Sequence, residues 1–274
     1  METSQYCEHL LSFVADCHNN IWKKETDSER ALSYLKDRGL NDDSVKSHNI
    51  GFCHENQSIP EPVRMFGKEL EKDFNLDDNG YSYFIRDRLI VPIYHEFGEI
   101  VGFSTRKPLP EKGNTWWNLP KPFYKGKHLF LIDKARKPIY DQNKVYIVEG
   151  YMDALILFQH GIKNVVAIMG TQFAERKVAL ILRYCSNVCL CLDIDENESG
   201  QKARDKAIFF LYELGFCENI SVMDAIPMGE DPASFMLTHT IEELLESERI
   251  LKDKEIIGIC KEVRVAAKKN NRKR

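Results

Sequence analysis

The stretch Lys144-Val-Tyr-Ile-Val-Glu-Gly-Tyr-Met-Asp153 decides the fold of the C-terminal half. Its apolar run, Lys144–Val148, has the length and the β-branched content of a buried strand, and a helix follows over 154–160. The same alternation recurs downstream, with strands predicted at 164–169, 188–192 and 220–223 and helices predicted at 174–184 and 201–214. Short apolar strands that alternate with helices predict a parallel sheet covered on both faces. We therefore expect an α/β fold here.

The N-terminal half has a different character. Residues 1 to about 50 show helical spacing of apolar residues, with Ser28 as a predicted N-cap and Gly39 as a predicted helix end. Residues 54–80 are polar and are predicted to be loop. Two β-rich runs at 88–94 and 100–105 flank Gly98 and predict a hairpin.

The composition excludes several classes of protein. The chain has 274 residues, of which 43% are hydrophobic and 29% charged, and these are ordinary globular values. Its apolar runs fall short of the roughly 20 residues of a membrane helix, and its acidic start is unlike a signal peptide. We therefore expect a cytoplasmic protein with no membrane partner.

Charge is distributed unevenly along the chain. The net charge of −4 argues mildly against a purely electrostatic nucleic-acid binder. The last fourteen residues, 261–274, are strongly basic, and this tail is either a phosphate-binding arm or a solvated terminus.

The eight cysteines form no CxxC pair. The nearest approach to a metal motif, Cys7, His9, Cys17 and His18, has no recognisable zinc spacing. We expect reduced, structural cysteines and no zinc site.

Acidic residues follow the predicted strands. Glu149 comes directly after the first strand and Asp153 lies one helical turn later, while Asp193 and Asp195 follow the third strand. In open α/β sheets ligands bind at the carboxyl ends of strands. Carboxylates that converge there suit Mg²⁺ or Mn²⁺, provided that the first and third strands are neighbours. Solvated acids at strand ends are the alternative. A Ca²⁺ loop starting at Asp193 is excluded, because Glu198 occupies its glycine position.

These motifs resemble those of the Toprim domain of bacterial DnaG-type primases. The resemblance rests on Val148-Glu-Gly-Tyr-Met-Asp153, Met169-Gly-Thr171, Asp193-Ile-Asp195 and Gly229-Glu-Asp-Pro232, and upstream on Tyr34–Leu40, Phe84–Ile93, Gly98–Phe103, Arg106 and Tyr124-Lys-Gly126. It covers roughly residues 10–240.

The resemblance implies synthesis of short RNA primers on single-stranded DNA from ribonucleoside triphosphates, with two or more Mg²⁺ or Mn²⁺ ions. Carried over by position, Glu149, Asp193 and Asp195 match the catalytic metal-binding acids, with Asp153 and Asp231 as supporting carboxylates. The positions matched to nucleotide or template binding are Arg38, Arg86, Arg88, Arg106, Lys125, Gly170 and Thr171.

Departures from the family pattern concern the accessory parts. No zinc-binding set matches the family's N-terminal domain, so we expect a separate zinc-binding module or partner in initiation, and a replicative helicase is a further partner. The family's Lys-Tyr-x-Asn stretch reads Thr115-Trp-Trp-Asn118 here. The Trp116–Trp117 pair either packs in a core or stacks template bases.

Three other functions compete with this interpretation. They are a Toprim nuclease, a topoisomerase, for which the chain leaves little room, and a non-catalytic primase-like protein that binds single-stranded DNA or a helicase.

We predict an N-terminal subdomain at 1–142, helical over 1–80 and β-rich over 81–142. A Toprim domain is predicted at 143–226 and a helical C-terminal segment at 227–274.

Overall fold

A computed structural model describes residues 3–60, 63, 84–109, 116–119, 125–170, 175–193, 199–215 and 219–271. The chain forms two compact units, Met1–Tyr124 and Lys125–Arg274. The predicted boundary at residue 142 lies within the second unit. Most of the predicted loop at 54–80 lies outside the described residues.

The first unit begins with three helices: α1 at Thr3–Ile21, α2 at Thr26–Asp37 and α3 at Asp42–Ser47. The prediction of Ser28 as an N-cap is wrong, because Glu25 occupies the cap position. Ser28 is buried inside α2, where its hydroxyl donates to the carbonyl of Asn20 at 2.7 Å. The side chain of Asn41 caps α3 by accepting from the N–H of Ser44.

A four-stranded antiparallel sheet follows, in which the strands are hydrogen-bonded in chain order. The strands are β1 at Gly51–Cys53, β2 at Arg88–Tyr94, β3 at Ile100–Arg106 and β4 at Trp117–Leu119. The predicted hairpin is present as β2 and β3, which pair antiparallel around the turn at Gly98. Helix α1 packs its apolar face on this sheet, and the rings of Phe13 and Phe103 lie 5.4 Å apart in the core.

The second unit is built around a five-stranded sheet. A 3₁₀ turn at Lys125–Lys127 is followed by α4 at Ile132–Gln142, β5 at Lys144–Val148, α5 at Tyr151–Gln159, β6 at Val165–Ala167, α6 at Glu175–Leu182 and β7 at Asn187–Leu190. The remaining elements are α7 at Ser199–Glu213, β8 at Ile220–Met223, α8 at Pro232–Phe235, α9 at Ile241–Glu246, β9 at Glu248–Ile250 and α10 at Asp253–Asn271.

The strand order is β6-β5-β7-β8-β9. Strands β5 to β8 are parallel, which confirms the α/β prediction, whereas β9 pairs antiparallel with β8. Glu248 of β9 accepts from Lys144 at 2.5 Å and from Ser221 at 2.5 Å. These bonds link β9 to β5 and β8 through one carboxylate.

The core of the second unit is formed by the apolar strand residues and by the inner faces of α4, α6, α7 and α10. The cysteines that the structure describes are free thiols. Burial raises the pKa of Cys185 and of Cys189 to about 12, so both stay protonated at neutral pH. Among the described residues no helix is long and apolar enough to cross a membrane.

Candidate active site

Strands β5 and β7 are adjacent, which is the condition that the sequence analysis set for a shared acidic site. Their pairing runs through Ile147 opposite Leu190, and the N–H of Cys191 donates to the carbonyl of Ile147 at 2.8 Å. Glu149 and Asp193 follow the ends of these two strands, and both are partly exposed. The carboxyl ends of β5 and β7 therefore deliver two acids to one edge of the sheet.

Asp153 is held by two backbone N–H groups. Its Oδ2 accepts from Gly150 at 2.9 Å, at the start of α5, and its Oδ1 accepts from Ala233 at 3.2 Å, in α8. A Cβ at position 150 would lie 2.7 Å from Oδ2 of Asp153, so a larger residue there would require the carboxyl group to shift. The carboxyl group of Asp153 thus fixes the Glu149-Gly150 turn against α8.

The pKa of Asp153 is raised from 3.8 to about 8. Burial of the side chain, which is 4% exposed, is the main cause, and the charges of Asp231 and then Asp193 add to it. The two backbone N–H donors act in the opposite direction. The influence of Asp231 and Asp193 shows that these acids from three separate segments lie close together.

Asp231 also has a structural role at the start of α8. It is the N-cap of α8, and its side chain accepts from the N–H of Ser234 at 2.6 Å. Its charge still reaches Asp153, because Ala233 of the same short helix donates to that carboxyl group. The position of α8 thus connects Asp153 with the helix that Asp231 caps, and the supporting role of both acids stays a prediction.

The donor chemistry of this edge suits a hard divalent cation. Its acids supply oxygen atoms, which are the ligands that Mg²⁺ and Mn²⁺ prefer. Within the described ranges, however, no three His, Cys, Asp or Glu side chains are grouped closely enough to hold a metal. Asp195, the third predicted ligand, lies outside those ranges. The described acids fit part of a Mg²⁺ or Mn²⁺ site.

A tight turn follows β6 beside Glu149. Met169 and Gly170 both have positive φ, at 57° and 122°, and the N–H of Gly170 lies 3.4 Å from the carbonyl of Glu149. The predicted neighbour Thr171 lies outside the described residues. Gly170 is thus placed at the acidic edge, where its left-handed conformation favours glycine.

Lys177 is the residue of this site that the sequence analysis missed. It lies in α6, is 1% exposed, and donates from Nζ to the carbonyl of Ile168, directly before the Met169–Gly170 turn. Lysine is almost never fully buried unless it is paired. The spacing of apolar residues in α6 predicts that this position faces the core. A lysine at a predicted buried position could therefore have identified it as a candidate residue.

The first unit contains a separate basic cleft of about 520 Å³. Two predicted template residues, Arg38 at the end of α2 and Arg106 at the end of β3, line it together. The other lining residues are Arg30, Ser33, Tyr34, Asp37, Pro108 and Leu109. Arg30 forms an ion pair with Asp87 at 2.5 Å, and the acid Asp37 lines the cleft beside Arg38 and Arg106.

The remaining predicted binding residues have different surroundings. Arg86 donates to the carbonyl of Glu55 at 2.7 Å and is partly exposed. Arg88 is 3% exposed and pairs with Cys53 in the sheet. Lys125 begins the 3₁₀ turn of the second unit, and the structure describes its backbone but not its side chain.

Two family models match the chain. A model described as DNA primase catalytic core, N-terminal domain, matches residues 17–136, and a model described as Toprim-like matches residues 146–236. Together they span both compact units and include the basic cleft and the acidic edge.

Known proteins agree with this match. The DNA primase of Staphylococcus aureus strain MRSA252 is 31% identical over 223 residues, which are 78% of this chain and 36% of that protein. The zinc-binding and RNA polymerase domains of Aquifex aeolicus primase are 25% identical, with a TM-score of 0.70 over 92% of this chain and 63% of that one. A DnaG catalytic domain bound to single-stranded DNA has the same fold, with 23% identity and a TM-score of 0.70 over 90% of this chain and 82% of that one. The chain spans 33–40% of the length of the curated relatives it matches.

Proposed function

Because the chain belongs to the family of DnaG-type DNA primase catalytic cores with a Toprim domain, we propose that it synthesises RNA primers on single-stranded DNA. The observation that carries the proposal is the adjacency of β5 and β7, which brings Glu149 and Asp193 to one carboxyl edge of a parallel sheet. Acids at this edge, without a Ser, Cys or His nucleophile among the predicted site residues, suit metal-assisted nucleotidyl transfer.

We assign the metal to Glu149, Asp193 and Asp195, with Asp153 and Asp231 in support. Bound Mg²⁺ or Mn²⁺ ions supply activation of the primer's 3′-hydroxyl and stabilisation of the departing pyrophosphate. Asp153 orients the turn that carries Glu149, since it accepts from the N–H of Gly150. Lys177 supports the neighbouring turn through the carbonyl of Ile168.

We assign the template strand to the basic cleft of the first unit. Arg38 and Arg106 line this cleft, and guanidinium groups bind phosphate oxygens with two parallel hydrogen bonds. The related DnaG catalytic domain that was solved with single-stranded DNA supports single-stranded DNA as a ligand of this chain. Nucleotide or template contacts by Arg86, Arg88, Lys125, Gly170 and Thr171 remain part of the proposal.

The organisation that we propose has three segments: 1–142 as the N-terminal primase-core subdomain, 143–226 as the Toprim domain and 227–274 as a helical C-terminal segment. Ribonucleoside triphosphates are the proposed substrates. A replicative helicase and a separate zinc-binding module are the proposed protein partners, and the cytoplasm is the proposed location.

Primer synthesis on random-sequence single-stranded DNA tests the proposal. Labelled ribonucleotides are supplied with Mg²⁺ and, separately, with Mn²⁺. The wild-type chain is expected to give short RNA products. The variant Asp193→Asn is expected to reduce the rate of primer synthesis more than about 100-fold, which exceeds the 10–100-fold reduction typical for residues that merely surround a metal site. Asp141→Asn, which alters an exposed ion pair with Lys137 in α4, is the matched control and is expected to keep full activity.

A second reaction uses a pre-annealed primer, which bypasses initiation. Extension without de novo synthesis supports the polymerase assignment and places the missing step with the zinc-binding partner. Metal-dependent cleavage of DNA without consumption of triphosphates would instead assign a Toprim nuclease. If neither synthesis, extension nor cleavage occurs while single-stranded DNA binds, the chain is a non-catalytic binding protein.

A further inference from the structure

Two adjacent tryptophans stand at the start of β4: Trp117 is its first residue and Trp116 directly precedes it. Trp117 pairs with Thr105 of β3, and its ring lies 4.5 Å from that of Phe84, packed against the core of the first unit. Trp116 lies just before the strand and is partly buried. Trp117 is thus the member of the pair that packs against this core cluster.

Trp116 lies beside the end of β3. The pairing of β3 with β4 ends at Thr105 opposite Trp117, and Arg106 and Trp116 are the next residues beyond that pair. The guanidinium carbon of Arg106 is 5.6 Å from the centre of a Trp116 ring, which is within cation–π range. Trp116 thus contacts the same arginine that lines the basic cleft.

Arg106 differs from its neighbour Arg30 in its charge partners. Arg30 contacts both Asp27 and Asp87, at 3.4 Å and 2.5 Å. Within the described ranges Arg106 forms no ion pair, and its buried Nε has no hydrogen-bond partner. A guanidinium group at a cleft with no carboxylate partner retains its donors for an anionic ligand.

We propose that Trp116 is a positioning residue, which holds the guanidinium group of Arg106 for a phosphate of the template strand. The inference rests on the proposed function. An aromatic ring engages the flat face of a guanidinium group and leaves its in-plane N–H donors available, and these are the atoms that bind phosphate. Trp116 thereby restricts the rotamers of a long side chain before DNA binds, which lowers the entropy lost on binding.

A double-mutant cycle tests the proposal. Binding of a fluorescently labelled oligo-dT is measured by anisotropy over a series of salt concentrations. The proteins are the wild type, Trp116→Ala, Arg106→Met and the double variant, with circular dichroism to verify folding. We expect Trp116→Ala to weaken binding about 3- to 10-fold. Arg106→Met is expected to weaken it further and to reduce the salt slope by about 0.7.

The double variant separates the alternatives. If Trp116 acts through Arg106, the double variant binds no more weakly than Arg106→Met alone, and Trp116→Phe restores most of the wild-type affinity. Losses that multiply, with no change in salt slope for Trp116→Ala, would mean that the indole stacks on bases independently and would overturn the proposal. An unchanged affinity for Trp116→Ala would also overturn it.

Trp22→Ala is the matched control, because Trp22 also lies beside a cation, with Nζ of Lys46 5.0 Å from its ring, but does not line the cleft. We expect this variant to bind as the wild type does. If the wild-type chain binds no oligo-dT at all, the template assignment fails and this inference fails with it. That outcome is distinguishable from multiplying losses in a protein that binds.

Discussion

The Oδ1 atom of Asp153, in α5, accepts a hydrogen bond from the backbone N–H of Ala233, in α8, at 3.2 Å. The two residues are 80 positions apart, and their contact brings the segment after β8 to the helix that follows β5. Asp231, which caps α8, is thereby placed close enough to raise the pKa of Asp153. This contact adds Asp231 to the edge at which the ends of β5 and β7 already place Glu149 and Asp193.

Metal-free protein is expected to lose stability as the pH rises from about 4 to 8. The pKa of Asp153 is about 8 in the folded chain and 3.8 as the ordinary value expected for the unfolded chain. Between these two pH values the folded state keeps a proton that the unfolded state has released. The free energy of unfolding then decreases with pH, with a slope of up to about 1.4 kcal/mol per pH unit from this group.

Urea unfolding at several pH values measures this slope. Asp153→Asn, which cannot titrate, is expected to show a flatter pH dependence over the same window. Its absolute stability also reflects the loss of one acceptor oxygen, so the slope is the informative quantity. Equal slopes for the two proteins would contradict the raised pKa.

Mg²⁺ is expected to stabilise the wild-type chain against unfolding. A ligand that binds only the folded state adds about 1.4 kcal/mol at ten times its dissociation constant. Thermal unfolding with increasing Mg²⁺, followed by removal with a chelator, checks this reversible shift. Asp193→Asn should shift much less, whereas Asp141→Asn should respond as the wild type does. A wild-type midpoint insensitive to both Mg²⁺ and Mn²⁺ would contradict the metal assignment.

Lys177→Met is expected to impair both the fold and the reaction. It removes the donor to the carbonyl of Ile168 and leaves that buried group without this bond, which costs about 1–3 kcal/mol. We also expect primer synthesis to require more Mg²⁺, because the adjacent Met169–Gly170 turn contacts the backbone of Glu149. Urea unfolding and a Mg²⁺ titration of activity measure the two effects. Arg176→Met, which changes an exposed cation of the same helix, should alter neither quantity.

Gly51→Ala is expected to destabilise the first unit by about 1–3 kcal/mol or more. A Cβ at this position would lie 2.4 Å from the carbonyl carbon of Cys17 and 2.5 Å from the nitrogen of His18, and these backbone atoms cannot yield as side chains do. Gly258→Ala, in α10, meets no atom within 4 Å and should stabilise by up to about 1 kcal/mol through helix propensity. Comparing the two variants by urea unfolding separates steric conflict from the general effect of replacing glycine.

The parallel sheet was predictable because its strands are short apolar runs separated by helical segments. Lys144–Val148 and Ile220–Met223 were predicted with the same bounds that the structure has. The adjacency of β5 and β7 was not predictable, since strand order depends on how the crossover helices pack. The sequence could therefore identify Glu149 and Asp193 as candidate site residues. It could predict that they share one edge of the sheet only on the condition that β5 and β7 are neighbours.

Other features escaped prediction for identifiable physical reasons. Strand β9 has three residues, Glu248–Ile250, and too few positions to show an alternating pattern. Serine is a residue type that N-caps prefer, but Ser28 lies inside the helix, where its hydroxyl donates to the carbonyl of Asn20. The buried state of Arg88 is likewise a tertiary property that no local pattern reveals.

Strand β9 also affects how safely the chain can be shortened. It pairs with β8, whose residues Ile220–Met223 are all buried, and it is joined to β5 through Glu248 and Lys144. Removing residues 241–274 would turn β8 into an edge strand with an open row of backbone hydrogen-bonding groups and apolar side chains. Such edges recruit strands from other molecules. Truncated versions ending before β9 are therefore expected to aggregate during expression, so shortened fragments for crystallisation or spectroscopy should retain this strand.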